Sequence, residues 1–272
     1  MSPADGEASA QPVGLPVFGR DGDLLVPTTA AAGPWDPEAL HGGSAGAALA
    51  RAMEAIEPDP EMPFARVTCE FIRPVPRRPL AVTARVSRPG RRILLLEAEI
   101  RCDDEVVARA GGLRIRAADV DLPASGLTEL APPPGRETGH PPAGIESWGR
   151  GLISAMDLRL VHGDLMESGT ATAWFRLRGA LVEGEEPTPL QRIVAAADFG
   201  NGLSGVLDFR THVFINPDLT VYLHRYPRGE WVALDSATWV HAHGIGMAES
   251  TLWDTEGPIG RSVQSLLVGR RP

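Results

Sequence analysis

Lysine is absent from this 272-residue chain, so all 26 basic residues are arginine, set against 35 acidic ones for a net charge of −9. An acidic protein repels a polyphosphate backbone, which argues against nucleic acid as a partner, although a local arginine patch can still hold a small anion. Cysteine is almost as scarce. Cys69 and Cys102 stand far apart, which excludes a disulfide framework and a C-x-x-C redox or zinc pair and fits a reducing cytoplasm. Long apolar runs are missing too, so no membrane insertion is expected. Residues 1–16 have neither the basic start nor the apolar stretch of a secretory signal, and their Ser/Ala/Pro/Gly character reads as a disordered lead.

The composition that remains is that of a globular protein, 43% hydrophobic and 22% charged, enough for a sizeable core. Prolines gather at Pro123, Pro132, Pro133, Pro134, Pro141 and Pro142. Proline lacks an amide donor and resists helix and central strand alike, so 119–145 reads as a linker between two halves. The first half reads as a strand over 18–30, a helix over 41–57, and strands over 65–74, 80–87, 93–102 and 105–116, with turns at Pro89-Gly90 and Asp103-Asp104. The second half reads as strands over 152–161 and 170–177, a helix over 190–199, and strands over 212–224, 231–240, 247–253 and 259–268.

An offset of 152 residues superposes the halves without a gap. It places Thr68 on Thr220, Arg73 on Arg225, Ala81 on Ala233, Ile93 on Ile245, Glu97 on Glu249 and Arg109 on Arg261. Identity alone is sparse, but strand phase, turns and helix stay in step, which is the mark of a duplication. The expected class is therefore α+β: two fused hotdog domains, 17–118 and 146–272, each a long helix wrapped by an antiparallel sheet. Fusion makes the pairing of the two units intramolecular, and exposed sheet edges lead us to expect a homo-oligomer.

The repeat is broken in two informative places. Gly46 falls opposite Asp198, and Gly112 opposite Gln264. A carboxylate beside a buried helix is costly unless it is hydrogen-bonded or functional, so a matched pair of differences points to one site retained in the second half.

Leu40-His41-Gly42-Gly43, Phe71-Ile72-Arg73-Pro74 and Arg91-Arg92 in the first half, with Ala197-Asp198, Asp218-Leu219-Thr220-Val221, His224-Arg225 and Ser262-Val263-Gln264 in the second, resemble the acyl-CoA thioesterase II family of double hotdogs. The resemblance implies hydrolysis of a fatty acyl-CoA by an activated water, with no metal, no covalent intermediate and no cofactor beyond the coenzyme A of the substrate. It implies a catalytic set of Asp198 as general base, Gln264, and a threonine whose aligned position is Asn216 here, with Thr220 as a fallback. Gly42, Gly43 and His41, at the start of the first helix, are expected to bind substrate and the developing oxyanion, because a helix N-terminus carries unpaired amides.

Other motifs point elsewhere. Gly42-Gly43-Ser44-Ala45-Gly46 matches the nucleophile elbow of serine hydrolases, but residues 34–38 are a poor strand for it. Gly200-Asn201-Gly202-Leu203-Ser204-Gly205 matches a dinucleotide fingerprint but follows a helix. His241 and His243 lack a third metal ligand. Arg73, Arg77, Arg78, Arg88, Arg91 and Arg92 are candidates for coenzyme A phosphates or simply a solvated rim. A noncatalytic acyl-CoA or lipid-binding protein is the second functional reading, motivated by Asn216. A hydratase is disfavoured by the lack of an Asp-x-Asn-Pro-x-His segment.

Overall fold

The computed structural model describes residues 14–121, 123, 135–143, 150–165 and 167–271. Most of the expected lead and much of the expected linker lie outside the described residues. Of the linker, the described part includes a 3-10 turn at Arg136–Thr138 and a bridge from His140 to Leu160.

The single strand expected over 18–30 is instead a hairpin, β1 (Phe18–Asp21) and β2 (Leu24–Pro27), followed by a 3-10 turn at Thr29–Ala31. The cause is Gly22, whose φ of +59 is a left-handed turn conformation that glycine adopts without strain. Helix α1 (Gly42–Glu54) follows, then strands β3 (Phe64–Phe71), β4 (Leu80–Arg88), β5 (Ile93–Cys102) and β6 (Glu105–Ile115). The second half has β7 (Met156–His162), β8 (Ala171–Leu177), helices α2 (Pro189–Ala197) and α3 (Gly200–Leu203), and strands β9 (His212–Ile215), β10 (Asp218–Leu223), β11 (Val232–His241), β12 (Ile245–Asp254) and β13 (Gly257–Arg270).

Two further expectations are corrected here. The strand over 212–224 divides at Asn216-Pro217, since Pro217 has no amide to continue the ladder. A long helix in each half is also not what forms. The first half has a 13-residue helix, whereas the second breaks after nine residues at Asp198-Phe199 and resumes as the four residues of α3.

Among the described residues all thirteen strands join one sheet, in the order β1-β2-β4-β5-β6-β3-β10-β13-β12-β11-β8-β7, with β9 on the far end of β13. Every pairing between these strands is antiparallel, and the order is symmetric about its middle. Strands β12 and β13 begin 152 residues after β5 and β6. At the centre, β3 pairs with β10 so that Thr68 faces Thr220. These two are also equivalent by the repeat, so a local twofold runs between them, and Thr220 Oγ1 donates to Thr68 Oγ1 at 3.2 Å.

The two helices pack antiparallel in the hollow of the sheet. Their approach is close because α1 is made of small residues there. A Cβ on Gly43 would lie 2.5 Å from the Ala195 carbonyl oxygen, and one on Gly46 would lie 2.9 Å from Val194 Cγ1. A mid-helix glycine costs about 1 kcal/mol relative to alanine, and this tight contact is what the glycines permit. Helix α2 starts on a capping box, with Thr188 accepting from the Gln191 amide and Pro189 in the first turn, an arrangement that satisfies orphan donors. The end of α1 is tied to that start: Glu54 accepts from Thr188 Oγ1, Gln191 Nε2 and the Tyr226 hydroxyl. Burial nevertheless pushes the Glu54 carboxyl above its ordinary value. Among the described residues no helix is long and apolar enough to cross a membrane.

Candidate active site

The antiparallel packing that sets the end of α1 on the start of α2 also sets the end of α2 on the start of α1. Asp198 is the C-terminal cap of α2 and is 3% exposed. The loop before α1 is anchored by the His41 amide on Ala31 O and the Leu40 amide on Val75 O. This leaves His41 as the N-cap of α1 and aims the first turn at the carboxylate.

Four donors converge on Asp198. Asn216 Nδ2 donates to Oδ1 at 2.7 Å and Gln264 Nε2 to the same oxygen at 3.0 Å. The Gly43 amide donates to Oδ2 at 2.6 Å, and His41 Nδ1 lies 2.8 Å from Oδ2. Gln264, on β13, also donates to the Asp198 main-chain carbonyl and accepts from the Asn201 amide through Oε1. The Asn201 contact fixes the orientation of that side-chain amide. Burial works against ionisation of Asp198, but the His41 ring outweighs it together with the bonds from Asn216 and Gly43, so the carboxyl is held below its ordinary value.

The His41 ring nitrogen has two candidate partners, because the Gly43 amide also lies 3.1 Å from Nδ1. A lone pair on Nδ1 would face a carboxylate oxygen at 2.8 Å and be repelled, so Nδ1 carries the proton and donates to Asp198. The Gly43 amide then belongs to the shorter, charge-assisted bond. In the first turn of α1, Ser44 and Ala45 donate to the His41 carbonyl. The Gly42 amide is the one left without an acceptor among the described residues. Gly42 has to be glycine, since a Cβ there would fall 2.7 Å from the Asp198 carboxylate and 2.9 Å from Phe71.

The structure therefore brings Asp198, Asn216, Gln264, His41, Gly42 and Gly43 together. Thr220 is not with them, because it lies on the local twofold. Gly43 is placed differently from expectation: its amide is engaged by the carboxylate, and the free donor is Gly42. Sequence reasoning did not find the His41–Asp198 contact, although a polar residue in the N-cap place before two glycines was a usable signal. It also did not find Asn201, whose side chain donates to Phe214 O while its amide orients Gln264.

At the twofold-related place the polar set is gone. Gly46 and Gly112 stand where Asp198 and Gln264 would be, and Phe64 stands in the place of Asn216. A Cβ on Gly112 would meet Met53 Sδ and Phe64 Cε1, both at 2.8 Å, so apolar side chains fill that volume.

Cys69 sits on β3 near Gly46, fully buried. Burial, aided by the charge of Asp198, pushes its thiol up to about 12. A thiol that stays protonated is neither a nucleophile nor a target. Native protein incubated with iodoacetamide at mildly alkaline pH is thus expected to keep Cys69 unmodified, whereas urea-unfolded protein is labelled rapidly. Equal labelling of the two by mass spectrometry would contradict this burial.

The remaining motifs resolve locally. Ser44 lies inside α1 with no strand leading into it, and its buried Oγ has no partner, so the elbow geometry is missing. The Gly200–Gly205 run begins with α3, where a Cβ on Gly200 would meet Ser250 Oγ at 2.7 Å. His241 and His243 lie with ring centroids 4.8 Å apart at the end of β11. Arg73, Arg77 and Arg78 pair with Glu105, Glu38 and Asp103.

Residues 31–115 match the family model of the acyl-CoA thioesterase N-terminal domain, and residues 128–268 that of the C-terminal domain. Comparison with curated proteins finds no match. Among solved structures, a hotdog-fold protein of unknown function from Alicyclobacillus acidocaldarius is 16% identical with a TM-score of 0.68, over 94% of this chain and 96% of that one. A TesB protein of Mycobacterium avium is 17% identical with a TM-score of 0.63, over 94% and 96%. An acyl-CoA thioesterase II of Mycobacterium marinum is 18% identical with a TM-score of 0.61, over 85% and 89%. At such identities these structures speak for the hotdog fold alone. The two family models, which between them span both halves of the repeat, go further: this chain belongs to the acyl-CoA thioesterase family.

Proposed function

We propose that this protein hydrolyses the thioester of a fatty acyl-CoA by direct attack of water, at one site per chain built by two hotdog units spanning 17–118 and 146–272. The observation that carries this reading is the Asp198 carboxyl group, buried between the two helices and held by Asn216, Gln264, Gly43 and His41 beside a helix start whose Gly42 amide has no acceptor among the described residues. Burying a carboxylate costs several kcal/mol before compensation. The twofold-related place does without one, so the fold itself does not demand it.

A thioester carbonyl is electrophilic and a thiolate leaves readily, so the site needs an activated water and a place for negative charge. The Gly42 amide is the donor available to the oxyanion, and a preorganised donor of this kind contributes on the order of 10²–10³ in rate. Cys69 is protonated and buried, and Ser44 Oγ has no hydrogen-bond partner that could activate it. Attack by water without a covalent intermediate suits these neighbours. Coenzyme A enters only as part of the substrate.

The test is thiol release from acyl-CoA esters of graded chain length. Turnover well above the uncatalysed rate for at least one chain is expected. The second reading, noncatalytic acyl-CoA binding, draws on Asn216 standing where the family pattern has threonine. Tight calorimetric binding with no thiol released would decide for it.

A further inference from the structure

Both outer strands of the sheet already have partners. On β1 the Phe18 amide donates to Leu181 O and Phe18 O accepts from the Glu183 amide, and on β7 Leu160 exchanges two bonds with His140. Edges met in this way offer less to another chain. The surface left open is a face.

Residues directly opposite one another in an antiparallel pair share a face, as do residues two apart on one strand. Ile215 on β9 lies opposite Leu267 on β13, and Leu267 opposite Ile245 on β12. Two residues along, Ser265 lies opposite Met247, and Met247 opposite Trp239 on β11. These rows look away from the helices, because the alternate residues Phe214, Leu266 and Ala248 are the buried ones. The outward side chains are 39% exposed at Ile215, 63% at Leu267, 69% at Ile245, 41% at Met247 and 52% at Trp239. At about 200 Å² for a large side chain, that is roughly 500 Å² of contiguous apolar surface, near the upper limit for a monomer. The fold itself does not ask for it. The 152-residue offset puts Ser87 at the place of Trp239 and Pro63 at that of Ile215, and the first half builds its sheet without them.

We propose that this face is the interface of a homodimer, in which the outer surface of β9, β13, β12 and β11 packs on the same surface of a second copy about a twofold axis. None of the six residues in the two rows is charged, so a chain of net charge −9 can meet itself here without burying an unpaired ion. A twofold contact needs only a self-complementary surface, and two sheet faces pack about 10 Å apart through interleaved side chains. The apolar patch alone is more than half of the ~800 Å² that each partner gives to a standard interface, and tryptophan and methionine are enriched at such centres. The acidic residues bordering the rows on that face are Asp218, which accepts from the Ser265 amide, and Glu249, paired with Arg261 at 3.7 Å. They supply a polar rim and disfavour an anionic bilayer, which draws basic segments instead. The proposal stands apart from the hydrolase reading.

Sedimentation velocity of the full chain at micromolar concentration is expected to give twice the 29.0 kDa of one chain. Trp239→Glu and Leu267→Glu are each expected to halve that mass, with association weakened more than about 30-fold, the least that loss of a central anchor costs. Both side chains are exposed in the single chain, so thermal melts are expected to stay in place. Should a charged variant melt early, Trp239→Ser and Leu267→Ser carry the same test, the first of them borrowing the residue of the other repeat. Native protein that remains at the mass of one chain overturns the proposal. So does an oligomer whose mass none of these substitutions lowers, because another surface then holds it. A monomer that floats with phosphatidylcholine vesicles, and no longer does so as Leu267→Glu, makes lipid the occupant and overturns it too.

Discussion

Replacing Asp198 by asparagine is expected to lower kcat by about 10²–10⁴-fold, the range associated with loss of a proton-transfer element. The substitution preserves shape, so its effect comes from hydrogen-bond direction and charge. An amide has one acceptor oxygen and one NH2. Whichever way it sits, the NH2 faces two donors, either Asn216 and Gln264 or Gly43 and His41. If His41 loses its acceptor, nothing holds its Nδ1 in place. The measurement is saturating-substrate turnover beside a thermal melt. A folded Asp198→Asn protein within about tenfold of wild-type kcat would remove Asp198 from the reaction.

The largest expected effect on stability lies away from the site, at Asp254. This residue ends β12 and is 1% exposed. Arg225 grips it with both guanidinium arms, at 2.6 and 2.5 Å, and the amides of Arg228 and Glu256 donate to it at 2.9 and 2.8 Å. Burial opposes its ionisation, but the bonds from Arg225 and the two amides prevail and hold the carboxyl below its ordinary value. Asp254→Ala leaves the amides of Arg228 and Glu256 without their acceptor and the Arg225 guanidinium with only the carbonyls of Gly257 and Pro258. Breaking a buried pair costs about 3–5 kcal/mol, and because Arg225 keeps 31% of its side chain in solvent the lower end applies. The sign of the pH dependence follows from the lowered value. The stabilisation is present above the unfolded carboxyl value of about 3.9 and is lost as pH falls through the folded one. Urea unfolding is therefore expected to show the gap between wild type and Asp254→Ala at its full size near neutrality and narrowing below about pH 5. A gap that stays constant with pH, or one under about 1 kcal/mol at neutrality, would show that the carboxylate is not what holds this turn.

Asp254 also shows how the halves diverged. Arg225 repeats Arg73, but Asp254 stands where the first half has Cys102. Arg73 accordingly turns to Glu105 on the surface, while its counterpart became the centre of a buried turn. The candidate site diverged the same way: one copy has Asp198, Gln264 and Asn216, and the other has Gly46, Gly112 and Phe64.

Much of the architecture was legible in the residues. The periodicities of helix and strand report which side chains face inward, and that depends mainly on local sequence. The β5 bounds, the helix near 190–199 and the 152-residue offset were all available this way. The places where the reading failed have local causes that periodicity does not register. A left-handed glycine at Gly22 folded one expected strand into a hairpin, Pro217 interrupted another, and the chain re-entered helix at Gly200 after Asp198 had ended the first.

The amino-acid sequence by itself determined that the chain is a duplication, that its halves differ at two helix and strand positions, and that the polar residues survive in the second. Only the tertiary structure decided whom those residues touch. The Gly43 amide and the Asp198 carboxylate are 155 residues apart in the chain, and nothing in either neighbourhood specifies the other. Their bond exists because two antiparallel helices made of small side chains approach closely enough for the first turn of one to meet the last turn of the other. The same contact engages the Gly43 amide, leaves the Gly42 amide without an acceptor among the described residues, and sets His41 against the carboxylate.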